Sequence, residues 1–379
     1  MRVLIPTHCG SHTRALALWV TPMLEARGHT VTVACPTHRH QREIGDLVSS
    51  HDILVTTTPW WCYINMWVAA ARHFGKLWVY HPEGWDNVHP LIHPAFSGHE
   101  KSQGWPYKPD RLCAHGDAMA RKAIEHRKLD PETIRLTGGP RFDVYGTRWL
   151  DIMGREPGPF GDPERPYRPI ILICSAALWD HSFIVEALVN RGYRIVIRLH
   201  QADFPDRYDH LRDRYGVEVR VPQSVDVDDP EPEHGYDPTV QDLVDYAREL
   251  AFADVVVNVA GTPTLEALIL GTPVVNIGCL PDEARVQEHQ KLFLHYGPGS
   301  HWNDVKAGET SYLASTPDEI STCVEEALTA GSAEPSWAAR QAPIRAMLKD
   351  VLSIDYAGYS AKPIGGAASR VCDVIEEFA

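Results

Sequence analysis

Long apolar runs are missing from this chain of 379 residues. No stretch approaches the ~20 consecutive apolar positions that a membrane-spanning helix needs. The opening run Met1–Pro6 is too short for a secretory signal. The expectation is a cytoplasmic protein for which peripheral contact with a membrane surface stays open. Positive charge is also scarce: 36 Lys and Arg stand against 50 Asp and Glu, for a net charge of -14. Proteins that track a nucleic-acid backbone neutralise phosphates with Lys and Arg, so nucleic acid is a disfavoured partner. A local diphosphate pocket survives this argument, because helix N-termini bind anions through backbone N–H groups alone. Cysteine pairing is absent as well. Cys9, Cys35, Cys62, Cys113, Cys174, Cys279, Cys323 and Cys372 are scattered without a CxxC pair. Several end or follow apolar runs, as in Ile170–Cys174, so buried reduced thiols are expected. There is no short-period repeat and no low-complexity tract.

What is present is an ordinary globular composition. Hydrophobic residues make up 44% and charged residues 23% of the chain, so a core needs no metal or disulfide staple. At about 100–200 residues per domain, the length points to two domains. Strands are expected at Arg2–Ile5, Thr30–Ala34, Ile53–Thr57, Leu77–Tyr80, Arg111–Ala114 and Thr133–Thr137, with helices at Arg14–Arg27, Trp61–Phe74 and Asp117–His126. Gly154–Pro169 carries five prolines and three glycines, the composition of a linker. Beyond it, strands are expected at Pro169–Cys174, Arg194–Leu199, Glu218–Val221, Asp254–Val259 and Pro273–Ile277. Helices are expected there at Ser182–Arg191, Val240–Ala251, Thr262–Leu270, Pro317–Thr329, Trp337–Leu352 and Ala367–Phe378. Strands alternating with helices build parallel sheets covered on both faces. The fold class is therefore α/β. Residues 1–153 form one Rossmann-type parallel-sheet domain, 154–168 a linker, and 169–379 a second such domain. The chain closes in C-terminal helices, and the last, 367–378, is a candidate to pack back on the first domain. Ligands belong outside the carboxyl ends of the strands, in a cleft that the two domains would face across.

The most informative string is Ala253–Asn276. A buried strand ends in the small-residue turn Ala260-Gly261-Thr262, and a helix starts there. Thr262 is the expected N-cap, with Pro263 at the first helical position where proline is best tolerated. Glu266 lies one turn in, and Gly271 ends the helix. This string resembles the donor-nucleotide motif of GT-B glycosyltransferases. The resemblance implies that the Ala260-Gly261-Thr262 turn meets a diphosphate and Glu266 a ribose. Arg194–Asp203 is a strand that delivers Arg198 and His200 to its carboxyl end. It looks like the Arg-x-His-Pro segment of CDP-glycerol glycerophosphotransferase-like proteins, with Gln201 in place of the proline. Arg198 suits phosphate because its guanidinium can bond bidentately.

Three further strings carry candidate chemistry. His8-Cys9-Gly10-Ser11-His12 follows the first strand. It is similar to the first loop of GT-B transferases such as the lipid-II-forming N-acetylglucosaminyltransferase, where a loop His serves as base. A neutral imidazole near pH 7 can take a proton from a hydroxyl, so His12 is the candidate, with His8 as a competitor and Gly10 and Ser11 on the acceptor side. His81-Pro82-Glu83-Gly84 follows the fourth strand. It partly resembles the His-Gly element of glycerophosphotransferase-like enzymes and the His-x-Glu-Ala-Gly element of nucleotide-sugar 2-epimerases. His81 and Glu83 are thus further catalytic candidates, and Trp85 and Asp86 acceptor-binding ones. The nearby His89, His93, Trp105 and Tyr107 match no zinc spacing, so no metal is expected. Thr133–Asp143 resembles the Val-Thr-Gly-x-Pro-Arg-x-Asp string at the domain junction of the same two families. There Gly138 and Gly139 permit a tight turn, and Arg141 and Asp143 are expected to fix a hinge.

Taken in chain order, these resemblances imply a GT-B-like glycosyltransferase that is independent of metal and holds no permanent cofactor. It would move a sugar from a nucleotide-diphosphate sugar, a UDP-sugar first, to a hydroxyl on a small molecule, glycan or polymer. Four alternatives stand beside it: a CDP-glycerol-type glycerophosphotransferase, an NDP-sugar 2-epimerase, a DNA-base glycosyltransferase of phage type, and a non-enzymatic nucleotide-sugar-binding protein. The acidic balance weighs against the DNA-directed one.

Overall fold

The computed structural model describes residues 1–6, 13–34, 41–57, 62–82, 107–154, 158–160, 168–176, 180–200, 203–222, 238–259, 261–281, 284, 301–330, 335–354 and 365–379. The chain divides into two compact units. The first comprises Met1–Val144, Lys349–Ile354 and Ile364–Ala379; the second comprises Tyr145–Leu348 and Asp355–Pro363.

The first unit is built on a six-stranded sheet. Its strands are β1 (Arg2–Pro6), β2 (Thr30–Ala34), β3 (Ile53–Thr56), β4 (Leu77–Tyr80), β5 (Arg111–Ala114) and β6 (Ile134–Leu136), in the order β2-β1-β3-β4-β5-β6. Every pairing is parallel. Side chains of a strand alternate between faces, and the core follows that period of two. Leu4, Leu54, Trp78, Tyr80 and Leu112 pack with α2 (Gln41–Ser50) and α3 (Cys62–His73) through Ile44, Val48, Trp67 and Val68. Val3, Ile5, Ile53, Val55, Val79 and Cys113 pack on the opposite face. Their partners are α1 (Thr13–Ala26) and the helix Ala367–Glu376, through Leu16, Val20, Leu24, Ala368, Val371, Cys372 and Ile375.

That last helix is tied down at both ends. The Asp143 carboxylate accepts the N–H groups of Gly366, Ala367 and Ala368 at 2.8, 2.9 and 2.8 Å, meeting amides that a helix start leaves unpaired. At the other end Glu377 pairs with Arg111 and Arg135 at 2.7 and 2.6 Å, while Arg27 pairs with Asp373 and Glu376 at 2.7 and 2.8 Å. The expected hinge string therefore holds the end of the chain through Asp143.

The second unit repeats the plan. Its strands are β7 (Ile170–Cys174), β8 (Arg194–Arg198), β9 (Glu218–Arg220), β10 (Val255–Asn258), β11 (Val274–Ile277) and β12 (Tyr312–Ala314), ordered β12-β11-β10-β7-β8-β9. All are parallel. Near-continuous burial along β7, β10 and β11 is the mark of strands covered on both faces. The α/β fold expected from alternation is present in both units. Several elements escape the sequence reading, among them the helices Gln41–Ser50 and Asp209–Tyr215 and the strand β12. The helix Gln41–Ser50 carries its apolar stripe on only Ile44, Leu47 and Val48, and β12 is three residues long.

The topology also marks a place. In the second sheet the chain runs outward from β7 through β8 to β9, then returns to build β10, β11 and β12 on the other side. The order reverses between β7 and β10, and in open α/β sheets ligands bind outside the carboxyl ends of the strands at such a reversal.

Candidate functional site

The turn after β10 sits at that reversal. Its shape comes from a line of buried polar side chains. Asn258, the last residue of β10, donates from Nδ2 to the Gly261 carbonyl and to Thr264 Oγ1, both at 2.9 Å. Thr264 Oγ1 donates to Asn276 Oδ1 at 2.6 Å, and Asn276 Nδ2 to Ser311 Oγ at 2.7 Å. Ser311 Oγ ends the line on the Ala307 carbonyl at 2.7 Å. Asn258, Thr264, Asn276 and Ser311 are each at most 2% exposed. A buried polar group without a partner costs about 1–3 kcal/mol, so such a line is rigid only because each donor has an acceptor.

The helix Pro263–Leu270 begins on this turn. Its first bonds run from the Thr264 amide to the Gly261 carbonyl and from the Glu266 amide to the Thr262 carbonyl. Thr262 departs from expectation. Its φ of -49° and ψ of -31° are already helical, and its side chain makes no cap bond. A capping hydroxyl needs extended backbone to fold back over the second and third helical amides. The Asn258 amide shapes the turn instead. Glu266 is buried in this helix at 2% exposure. It lies close enough to Cys174, at the end of β7, to help raise that thiol; burial is the larger cause, and together with Glu249 they push it up to about 12.

Beside it, β8 ends at Arg198. Its Nη1 lies 3.0 Å from the buried Glu249 carboxylate, and its guanidinium carbon sits 5.6 Å from the Tyr246 ring centroid. Arg220, ending β9, reaches the same carboxylate at 3.2 Å. Burial raises the Glu249 carboxyl above its ordinary value, and the two guanidiniums offset part of that rise. Arg198, Arg220, Val221, Asp242, Asp245 and Glu249 line a cavity of about 310 Å³. His200 lies two residues past β8, its amide held by Ser175 Oγ at 2.8 Å. The second unit thus places Gly261, Thr262 and Glu266 beyond β10 and Arg198 and His200 at β8, on the carboxyl side of one sheet. Ala260 lies outside the described residues.

At the carboxyl edge of the first sheet, His81 follows β4 directly and is 2% exposed. Its Nε2 contacts the Gly138 carbonyl at 3.3 Å. His115 follows β5 and is fully buried; its Nε2 bonds the Pro82 carbonyl at 2.8 Å. A carbonyl only accepts, so both rings carry hydrogen on Nε2 and a lone pair on Nδ1. Among the described residues neither Nδ1 meets a hydrogen-bond partner. The ring centroids are 5.0 Å apart. Burial drives both pKa values down, to about 4 for His81 and, with His81 adding to the effect, about 3 for His115. The expected candidates His12, Glu83, Gly10, Ser11, Trp85 and Asp86 lie outside the described residues.

Sequence reasoning missed Asn258, Thr264, Asn276, Glu249, Ser175 and His115. A signal existed for two of them, because Asn258 and Asn276 break otherwise apolar strands.

No protein-family model and no characterised protein matches the sequence. Solved structures share its fold. UDP-GlcNAc 2-epimerase from Neisseria meningitidis, bound to UDP-GlcNAc, is 13% identical with a TM-score of 0.58 over 100% of both chains. A glycosyltransferase from Rickettsia africae is 10% identical with a TM-score of 0.54, covering 100% of this chain and 98% of that one. The wall teichoic acid polymerase TagF, soaked with CDPG, is 12% identical with a TM-score of 0.56, covering 100% of this chain and 88% of that one. At these identities the likeness is one of fold.

Proposed function

We propose that the protein is a glycosyltransferase that moves a sugar from a nucleotide-diphosphate sugar, a UDP-sugar first, to a hydroxyl acceptor. The observation that carries this reading is the Asn258-braced turn at the reversal of the second sheet. A helix starts on that turn, and Glu266 is buried within its first turns. Amides at a helix start favour a diphosphate. Gly261 and Thr262 supply them here, and Arg198 adds a cation from the neighbouring part of the same edge. Glu266 takes the ribose hydroxyls. Donors held in place before the reaction are worth roughly 3–4 kcal/mol each to a developing charge. With the leaving diphosphate met in this way, the reaction runs without a metal. The acceptor proton goes to His12, Glu83 or His81. Of these His81 is a weak base, because burial lowers its pKa to about 4, and the Gly138 carbonyl fixes which of its nitrogens holds the lone pair.

Thermal-shift and calorimetric titration with UDP, CDP, GDP and dTDP tests the donor site. One of them should stabilise the protein by about 2.7 kcal/mol at a hundredfold excess over its dissociation constant. Binding by none of the four would sink the reading. A donor screen then separates the chemistries. Free nucleoside diphosphate with a glycosylated acceptor marks the transferase, CMP a glycerophosphotransferase, and an altered nucleotide sugar an epimerase. Arg198 and His200 at the end of β8 favour the glycerophosphotransferase as second reading, because they keep the Arg-x-His spacing.

A further inference from the structure

A second buried network lies at the carboxyl edge of the second sheet, apart from the Asn258 line. It centres on the Asp203 carboxylate, which is 2% exposed. Its Oδ2 accepts from Ser175 Oγ at 2.9 Å and Tyr208 Oη at 2.6 Å. Its Oδ1 accepts from the Phe204 amide at 3.1 Å and Arg207 Nη1 at 2.8 Å. His181 extends the network. Its Nε2 accepts the Ala176 amide at 3.1 Å, which leaves the ring hydrogen on Nδ1, 3.1 Å from Tyr208 Oη. Hydrogens therefore run in one direction, from His181 to Tyr208 to Asp203. Ser175 Oγ has a second bond, accepting the His200 amide at 2.8 Å. The hydroxyl gives its single hydrogen to Asp203 and so turns a lone pair to His200. The segments following β7 and β8 are thereby locked together through one side chain on each.

We infer that Ser175 and Asp203 are positioning residues that hold the His200 backbone so that the His200 side chain meets the nucleotide donor. The inference rests on the donor site proposed above. Ser175 fixes where His200 leaves the sheet, and Asp203 fixes the direction of the Ser175 hydroxyl. Neither needs to touch the ligand. A buried carboxylate with four donors is a stiff anchor, because loss of any one leaves charge less well solvated.

The test is a double-mutant cycle on the full chain, with UDP affinity read by calorimetry and melting temperature read alongside. Ser175→Ala and His200→Ala should each weaken UDP binding about tenfold. The double variant should be no weaker than His200→Ala alone, since residues acting through one another are not additive. Leu188→Ala, a core truncation in the same unit, should lower the melting temperature yet leave UDP affinity within about twofold. Additive losses in the cycle, an unchanged Ser175→Ala, or an equal loss in Leu188→Ala would each overturn the positioning role while leaving the donor site standing. Failure of the wild type to bind UDP, CDP, GDP or dTDP would remove the donor site and this role together.

Discussion

The two sheets end in differently satisfied edges. Beyond β10 the polar side chains form a closed line in which Asn258, Thr264, Asn276 and Ser311 each find a partner. Beyond β4 and β5 two imidazoles donate to backbone carbonyls and leave both Nδ1 atoms buried with no hydrogen-bond partner among the described residues. The line from Asn258 to Ser311 is made of neutral groups and should be indifferent to pH. The edge beyond β4 and β5 keeps two rings neutral by burial, and that costs stability once the unfolded chain can protonate them.

The largest effect expected from this contrast is on acid stability. The folded pKa values of His81 and His115 are depressed, to about 4 and about 3, against an unfolded value near 6.5. Below about 6.5 the unfolded chain binds protons that the folded chain refuses, so stability falls as pH falls. The slope is about 1.4 kcal/mol per pH unit for each ring. It ends near pH 4 for His81 and near pH 3 for His115. Urea midpoints followed through tryptophan fluorescence from pH 7 to 4.5 should show it, since Trp67 and Trp78 are buried in the first unit. A flat profile would refute it. His115→Leu sharpens the comparison by halving the slope.

Breaking the closed line comes next. Asn276→Leu removes the acceptor of the buried Thr264 hydroxyl and one donor to Ser311 Oγ and should cost about 1–3 kcal/mol at every pH from 5 to 8, with weaker nucleotide binding beside it. An unchanged melting temperature would show that the line adds nothing. Glu266→Gln keeps the shape and removes the charge that would meet a ribose; UDP affinity should fall about tenfold with little change in melting temperature. The smallest effect is expected at the surface. Arg135→Ala removes a partly exposed partner of Glu377 and should cost under about 1 kcal/mol, less still in high salt.

These contrasts explain what could be read from residue order. Strand positions were legible because a buried parallel strand leaves a short apolar run, as in Ile170–Cys174 and Val255–Val257. The turn at Gly261 was legible because glycine, threonine and proline in succession mark a helix start. The identity of its brace was not, since Asn258 and Asn276 are 18 residues apart in the chain and come side by side only when β10 pairs with β11, with Thr264 bonding both. Ser175 and Asp203 pair across a separation of 28 residues, which no local pattern encodes. His81 could be singled out as chemistry-bearing, but its low basicity comes from burial, a property of the folded sheet.

The docking of the helix Ala367–Glu376 against β1, β3, β4 and β5 has a consequence for biosynthesis. On the ribosome, Val3, Ile5, Ile53, Val55 and Val79 emerge early, yet part of their cover comes from Ala368, Val371, Cys372 and Ile375. At about 5–20 residues per second the nascent sheet waits on the order of tens of seconds with that side only partly covered, by α1. The intervening unit is translated in the meantime. That face is complete only after Ala367–Glu376 has been made, long after its own strands.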